Sequence, residues 1–494
     1  MRNAGEDALF GSNQAEVGDM TGEAFAAALE RFSQWVVAFR GRVGELPVMS
    51  RVAPGEVSAA LPVAAPLRGE PVEAWIADLD RLIVPALTHW NHPGFMAYFG
   101  ITGSGPGILG ELVTAALNVN GMVWKTSPAL TELEQVVMGW YARAMGLPTS
   151  WFGMITDTAS TSTLVALAAA RERAWPGARE NGLAGAPELV LYCSQEAHSS
   201  VDKAAIVLGL GARNVRHILS DDEFRMRPDV LREAIVADLA AGRRPMAVVA
   251  TVGTTSATAV DPVPEIAECC AEHLLWLHVD AAYAGSAAVA PEFRWALAGC
   301  ERADSLVANP HKWLFTPIDC SALFLARPAD LASVFSLVPE YLRTDTGAAV
   351  NLMDYSFQLG RRFRALKLWF VFRAFGTEGI AARIRAHVEL ARRFASWVDR
   401  HPGLERLAPR HFSTVCFRVR GVGDESEDEL GARNERVLAA VNATGEVFLS
   451  HTKLKGRTCL RIAIGNLATD EVRVRQAFDL VVEHAQLQPV QPGT

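Results

Sequence analysis

The rhythm of apolar and polar positions divides this chain into three. From Thr21 to about Arg42 the residues Phe25, Leu29, Phe32, Trp35, Val36 and Phe39 recur at helical spacing, which predicts an amphipathic helix. Residues 45–72, rich in Pro, Val and Ala, read as an extended connector, and residues 73–90 read as helical again. This arm, residues 1–104, has too little apolar surface for a core of its own. It is expected to pack on something else, such as a second subunit. From about 105 to 378, helical patterns alternate with the β-rich runs Leu189–Cys193, Val215–Leu219, Met246–Val252, Leu275–Val279, Ser305–Ala308 and Ala322–Ala326. Helices are expected over 159–175, 199–209, 228–241 and 262–273. Apolar strands between helices predict an α/β domain with a mainly parallel sheet covered on both faces. From 379 to 494 a long Arg-rich helix (380–399) precedes strands near Ser413–Val419, Gly445–Ser450 and Cys459–Ile464 and a last helix over 469–485. That pattern reads as a small α+β domain, with 423–430 a solvated charged loop.

Composition narrows the class. Of 494 residues half are hydrophobic and 21% charged, as in ordinary globular proteins, and the net charge of -8 is spread along the chain. No basic patch points to nucleic acid. No apolar stretch approaches the about 18 residues of a membrane span, and no apolar run behind a basic start predicts a secretory signal. The seven cysteines are odd in number and scattered, without a Cys-x-x-Cys pair. They read as buried apolar residues in a reducing compartment, so a cytoplasmic protein is expected.

In a parallel sheet, ligands collect beyond the carboxyl ends of the strands. Reading those ends in order gives Asp157-Thr158-Ala159-Ser160-Thr161, where a helix N-terminus suits a phosphate or is simply capped. Next come His198, which could stack on a flat ring or pack as a cap, and the turn Gly253-Thr254-Thr255-Ser256. Then come Asp280, at the end of Leu274–Val279, and Asn309-Pro310-His311-Lys312. A lysine in an apolar setting is easily lowered in pKa, as a Schiff-base lysine requires, and an aspartate can hold a pyridine nitrogen protonated. Each element alone has a bland reading. As an ordered set of phosphate loop, ring, hydroxyl, aspartate and lysine they point to pyridoxal phosphate chemistry. The alternative is a metal at His198, His278, Asp280 and His311. It lacks the paired His or Cys spacing of metal sites, and no metal is expected.

The segments His89-Trp90-Asn91-His92-Pro93, Ala97-Tyr98-Phe99, Ser127–Glu134, Tyr192–Ala205, His278–Ser286, Asn309–Trp313 and Leu359–Arg373 resemble the aromatic L-amino-acid decarboxylase family, the group II pyridoxal-phosphate-dependent decarboxylases. The resemblance runs from about residue 70 to 376, more faintly to the end. It implies a fold-type-I architecture with a seven-stranded sheet and a homodimer with shared active sites. It implies Lys312 as the Schiff-base lysine, Asp280 as the pyridinium partner and His198 as the stacking ring. Ala159 and Ser160 would bind phosphate, supported by Asn309 and His311. Ala282 would pack on the ring face opposite His198, and Thr255 would lie near Asp280 and His311. Tyr341, on the segment 337–352, would return a proton to the substrate carbon after CO2 leaves. Trp90, Tyr98, Phe99, Ile101, Asn120, Met122 and Gly360 would line the substrate pocket.

The pocket departs from the animal dopa decarboxylase pattern. Gly100-Ile101 replaces Pro-Thr, and Asn120 and Met122 stand where Ile and Phe are common. Glycine at 360 leaves room for a larger ring. The implied activity is decarboxylation of an aromatic L-amino acid (tryptophan, phenylalanine, tyrosine or dopa) to its amine. Relatives with Phe for the tyrosine, or Asn for the histidine, are aldehyde synthases; this chain keeps Tyr341 and His198. A non-catalytic scaffold is the remaining alternative.

Overall fold

The computed structural model describes residues 18–337, 349–421 and 423–487, so Tyr341 lies outside the described residues. The chain forms two compact units, one ending at His92 and the other beginning at Pro93.

In the first unit the helix Gly22–Arg42 starts at Thr21, whose hydroxyl accepts from the Ala24 N–H at 3.2 Å. Trp35 stacks on Phe39 at 5.4 Å, and Trp35 Nε1 and Arg42 both donate to Asp80, at 3.2 and 2.5 Å. The helix expected over 73–90 is interrupted. It is regular over Val72–Asp78, widens to a π turn over Leu79–Ile83 and ends in a 3-10 turn over Val84–Ala86, where Pro85 lacks an N–H. The connector 45–72 also contains a short helix, Glu56–Ala60. Of the first helix only Ala28 is buried, while Phe25 and Val37 are 56% and 72% exposed. On the apolar side of this helix Phe32, Trp35, Val36 and Phe39 are half-buried, while Phe25 and Leu29 are exposed.

The second unit contains two sheets. The larger comprises β1 (Phe152–Thr156), β2 (Leu189–Ser194), β3 (Val215–Ile218), β4 (Arg244–Thr251), β5 (Trp276–Asp280), β6 (Ser305–Ala308) and β7 (Ser321–Leu325), in the order β1-β7-β6-β5-β4-β2-β3. Strands β3, β2, β4, β5 and β6 pair in parallel. Strand β7 runs antiparallel to both β6 and β1. Every strand but β7 thus points the same way, and the mainly parallel seven-stranded sheet is as expected. Helices Ala159–Ala174, Ser200–Val207, Pro228–Ala240 and Val263–Glu272 lie close to their expected spans. Strand β1 was absent from the apolar runs because Gly153 weakens its pattern. The packing demands that glycine: a Cβ there would lie 2.8 Å from Met138 Cβ.

The Arg-rich helix expected over 380–399 is the second part of a longer helical run. That run spans Arg364–Arg400 and breaks at Gly376, whose φ of 62° favours glycine. The second sheet comprises β8 (Leu404–Arg406), β9 (Thr414–Val419), β10 (Ser450–Leu454) and β11 (Arg457–Ala463), antiparallel in the order β10-β11-β9-β8. Val415, Phe417, Leu460 and Ile462 fill a core with Phe394 and Phe478. By strand alternation Cys416, Cys459 and Arg461 share the other face, where the two cysteines pack with Phe224, Ala257 and Ala259. Two expectations need correction. The strand placed at 445–450 begins at Ser450, because Phe448 makes an isolated parallel bridge with Phe95. The charged segment 423–430 is not merely a solvated loop: Ser426 and Glu429 form a capping box that starts the helix Glu427–Ala443. Among the described residues no helix is long and apolar enough to cross a membrane.

Candidate active site

The carboxyl ends of β1, β2, β4, β5 and β6 lie along one edge of the sheet, and five of the singled-out segments follow them directly. Backbone bonds fix their spacing. The Val252 N–H donates to the Asp280 carbonyl at 2.8 Å, Ala281 N–H to Val307 at 2.9 Å and Asn309 N–H to Ala282 at 3.0 Å. Asp280, at the last position of β5, is buried, and its Oδ1 accepts from the Ala282 N–H at 3.0 Å. Lys312 follows β6 on a single helical turn, Pro310–Trp313. Burial lowers the Lys312 pKa; Asp280 opposes the shift and Arg461 adds to it.

His311 is buried and accepts the Cys320 N–H at Nδ1, 3.0 Å away. Desolvation first, then Lys312 and Lys367, push its pKa down to about 3, so the ring stays neutral. A buried line of polar side chains joins the strand ends. Asn309 Oδ1 accepts from Ser321 Oγ (2.7 Å), which meets Ser162 Oγ (3.0 Å), which meets Thr156 Oγ1 (2.7 Å). It ties the lysine turn to the start of the helix that carries Ala159 and Ser160. That helix is capped by Thr158, whose hydroxyl accepts from the Thr161 N–H at 3.4 Å. The first N–H groups of a helix have no acceptor within it, and Ser160 is exposed there.

His198 is exposed after β2. Its Nδ1 accepts from the Ser200 N–H at 3.2 Å, which places the ring proton on Nε2. Its pKa is lowered by desolvation; Asp280 opposes the shift, and Lys312 and Lys203 reinforce it, which puts the imidazole in the field of both candidate residues. Thr255 is exposed in the turn after β4, beyond Thr251, the register partner of Asp280. His278 is internal. Its ring meets Ser305 Oγ at 2.8 Å and Thr163 Oγ1 at 3.2 Å, and burial lowers its pKa to about 4.

The pocket residues fall into separate groups. Phe99 stacks on Tyr283 at 3.8 Å, with Lys312 Nζ 5.4 Å from its ring centre, and half-buried Ile101 follows on the same segment. Tyr98 is 53% exposed. Asn120, Met122 and Gly360 gather on another strap: Asn120 Oδ1 accepts from Arg361 N–H at 3.0 Å, and the Met122 carbonyl from Met353 N–H at 3.1 Å. Among the described residues nothing lies within 4 Å of where a Cβ of residue 360 would be. Trp90 is half-buried in the unit ending at His92.

Arg461 was missed in the sequence. It is 4% exposed, and its guanidinium carbon lies 4.6 Å from the Phe99 ring centre. It donates through Nε to the Ser256 carbonyl (3.0 Å) and through Nη1 to the Tyr98 carbonyl (2.5 Å). Its Nη2 is buried and has no hydrogen-bond partner among the described residues. The available signal was a charge inside the apolar run Cys459–Ile464.

These strand-end residues define a pyridoxal phosphate enzyme of fold type I. The chain belongs to the family of the pyridoxal-dependent decarboxylase conserved domain, whose model matches residues 54–420. It is 41% identical to tyrosine decarboxylase 4 of Petroselinum crispum over 458 residues, 90% of each chain. It is 40% identical to a phenylacetaldehyde synthase of Arabidopsis thaliana over 454 residues, covering 90% of this chain and 92% of that one. The crystal structure of Oryza sativa TDC with PLP and tryptamine superposes with a TM-score of 0.92 at 36% identity, covering 95% of this chain and 99% of that one. The donor set present here fits pyridoxal phosphate. It offers a lysine amine that burial makes easier to deprotonate, a buried carboxylate in its field, and an exposed serine at a helix N-terminus for an anion.

Proposed function

We propose that this chain decarboxylates an aromatic L-amino acid to the arylalkylamine and CO2. The observation that carries the reading is the Phe99 ring, backed by Tyr283 and flanked by Lys312 Nζ and the Arg461 guanidinium. It gathers an aromatic stack and two cations at the lysine turn, which suits an aromatic side chain and a carboxylate. When bound, pyridoxal phosphate supplies an aldehyde for the substrate amine and a ring that takes up the electron pair left when CO2 departs.

Lys312 is the residue that holds the cofactor. Asp280, whose carboxylate sits in the field of Lys312, keeps the pyridine nitrogen protonated. With the cofactor bound, His198 would cover one face of its ring and Ala282 would pack on the other. Ala159 and Ser160 would offer N–H groups and a hydroxyl to the phosphate, with Asn309 and His311 bracing the turn and Thr255 near Asp280 and His311. Arg461 Nη2 is the donor left over for an anionic group of the bound amino acid. Tyr341 returns a proton to the substrate carbon, and its retention beside His198 supports the amine over the aldehyde as product. The similarity to a phenylacetaldehyde synthase makes oxidative deamination the second reading.

The active form in this reading is a cytoplasmic homodimer with shared active sites. The exposed Phe25 and Leu29 of the first helix and the exposed Leu109, Leu112 and Leu117 support a second copy. The seven free, buried cysteines support a reducing compartment. The test is a panel of L-amino acids with CO2, amine, aldehyde and O2 measured together. Amine and CO2 in equal amounts support the reading; aldehyde with O2 uptake replaces it by the second.

A further inference from the structure

The turn that carries Lys312 and the wall that carries Phe99 are distant in sequence, and one buried histidine connects them twice. Trp313, the residue after Lys312, donates from Nε1 to His387 Nδ1 at 3.0 Å. The other nitrogen of His387, Nε2, faces the Asn466 carbonyl at 3.1 Å. A carbonyl only accepts and an indole N–H only donates, so the two partners together specify one tautomer. From Trp313 a ring stack leads back to the wall, with Tyr283 at 4.7 Å and Phe99 a further 3.8 Å on. From Asn466 a backbone path leads to the same wall. Its neighbour Gly465 accepts from Thr102 Oγ1 at 3.1 Å, and a Cβ on Gly100 would lie 3.4 Å from the Gly465 carbonyl carbon. Gly100 and Thr102 flank Ile101.

We propose that His387 is a positioning residue: by bridging the Trp313 indole and the Asn466 carbonyl it sets the Phe99–Ile101 wall at a fixed distance from Lys312. The proposal rests on the reading of Lys312 and Phe99 given above. A histidine that only filled space would be replaceable by leucine. One that bridges is replaceable by glutamine, which both accepts and donates.

The test compares His387→Leu, His387→Gln and Trp313→Phe in the cofactor-loaded full chain. In His387→Leu, the KM for the aromatic amino acid is expected to rise roughly tenfold with kcat within about threefold, the scale of one lost buried hydrogen bond. Pyridoxal phosphate affinity, titrated by absorbance, stays within about threefold of wild type, since nothing holding the cofactor is removed. His387→Gln restores KM to within about threefold. Exchange of the Trp313 indole proton in the cofactor-free protein, assigned by its loss in Trp313→Phe, is slow in wild type and His387→Gln and fast in His387→Leu. Trp313→Phe removes the same bond from the other side and raises KM by a similar factor; it carries the test if His387→Leu does not fold. Wild-type turnover together with an unchanged KM in the variants that fold overturns this inference alone. A wild type that releases no CO2 overturns the functional reading and this inference with it.

Discussion

The edge of the seven-stranded sheet and the inward face of β9–β11 both reach Lys312, but they are built differently. At the edge, each chemical group stands at the end of the strand that delivers it. Asp280 and Lys312 are spaced by three backbone hydrogen bonds between β4, β5 and β6. On the β9–β11 face, Arg461 reaches the site because register sets it opposite Cys416 and two distant carbonyls, those of Ser256 and Tyr98, take its donors. The edge makes a rigid frame for chemistry from neighbouring strands. In the proposed reading the face supplies recognition, from segments that converge only after folding.

The comparison predicts that damage at the edge lowers kcat and damage at the face raises KM. The largest effect is expected for Lys312→Ala, which should lower CO2 release at least about a thousandfold. Asp280→Asn should lower kcat on the order of a hundredfold with cofactor still bound, measured by steady-state kinetics. Tyr341→Phe should turn over but divert product from amine to aldehyde; an unchanged product ratio removes Tyr341 from the protonation step. Arg461→Lys keeps the charge but loses the fork, and should raise KM roughly tenfold while kcat changes little. A fall in kcat alone would erase the distinction between the two regions.

The smallest effect concerns pH. Burial lowers the pKa of His278 and His387 to about 4 and of His311 to about 3 from the ordinary 6.5. Below about pH 6.5 the unfolded chain binds protons that the folded chain refuses down to about pH 3–4. The stability these neutral rings confer is therefore complete above pH 6.5 and declines as pH falls through that window. Melting temperature should drop between pH 7 and 4.5, and His387→Gln should drop less steeply.

What was legible in the sequence follows the same division. Lys312, Asp280 and His198 were readable because each follows an apolar run, and a parallel sheet gathers such positions at one edge. Strand β1 was hidden by Gly153, which packing against Met138 requires. Arg461 and His387 were not singled out, because the partners that give each side chain its place lie far along the chain; for Arg461 the local sign was a charge inside the apolar run Cys459–Ile464. The capping box at Ser426 was readable in principle from Ser-x-x-Glu, but its acidic neighbours made it look like a solvated loop.

The central claim is that Lys312 holds the cofactor. Its most direct test is borohydride reduction of the protein loaded with pyridoxal phosphate, followed by peptide mass spectrometry. The account predicts a phosphopyridoxyl group on Lys312 and none in Lys312→Ala. Stable modification of a different lysine in the wild type, with Lys312 unmodified, would contradict it.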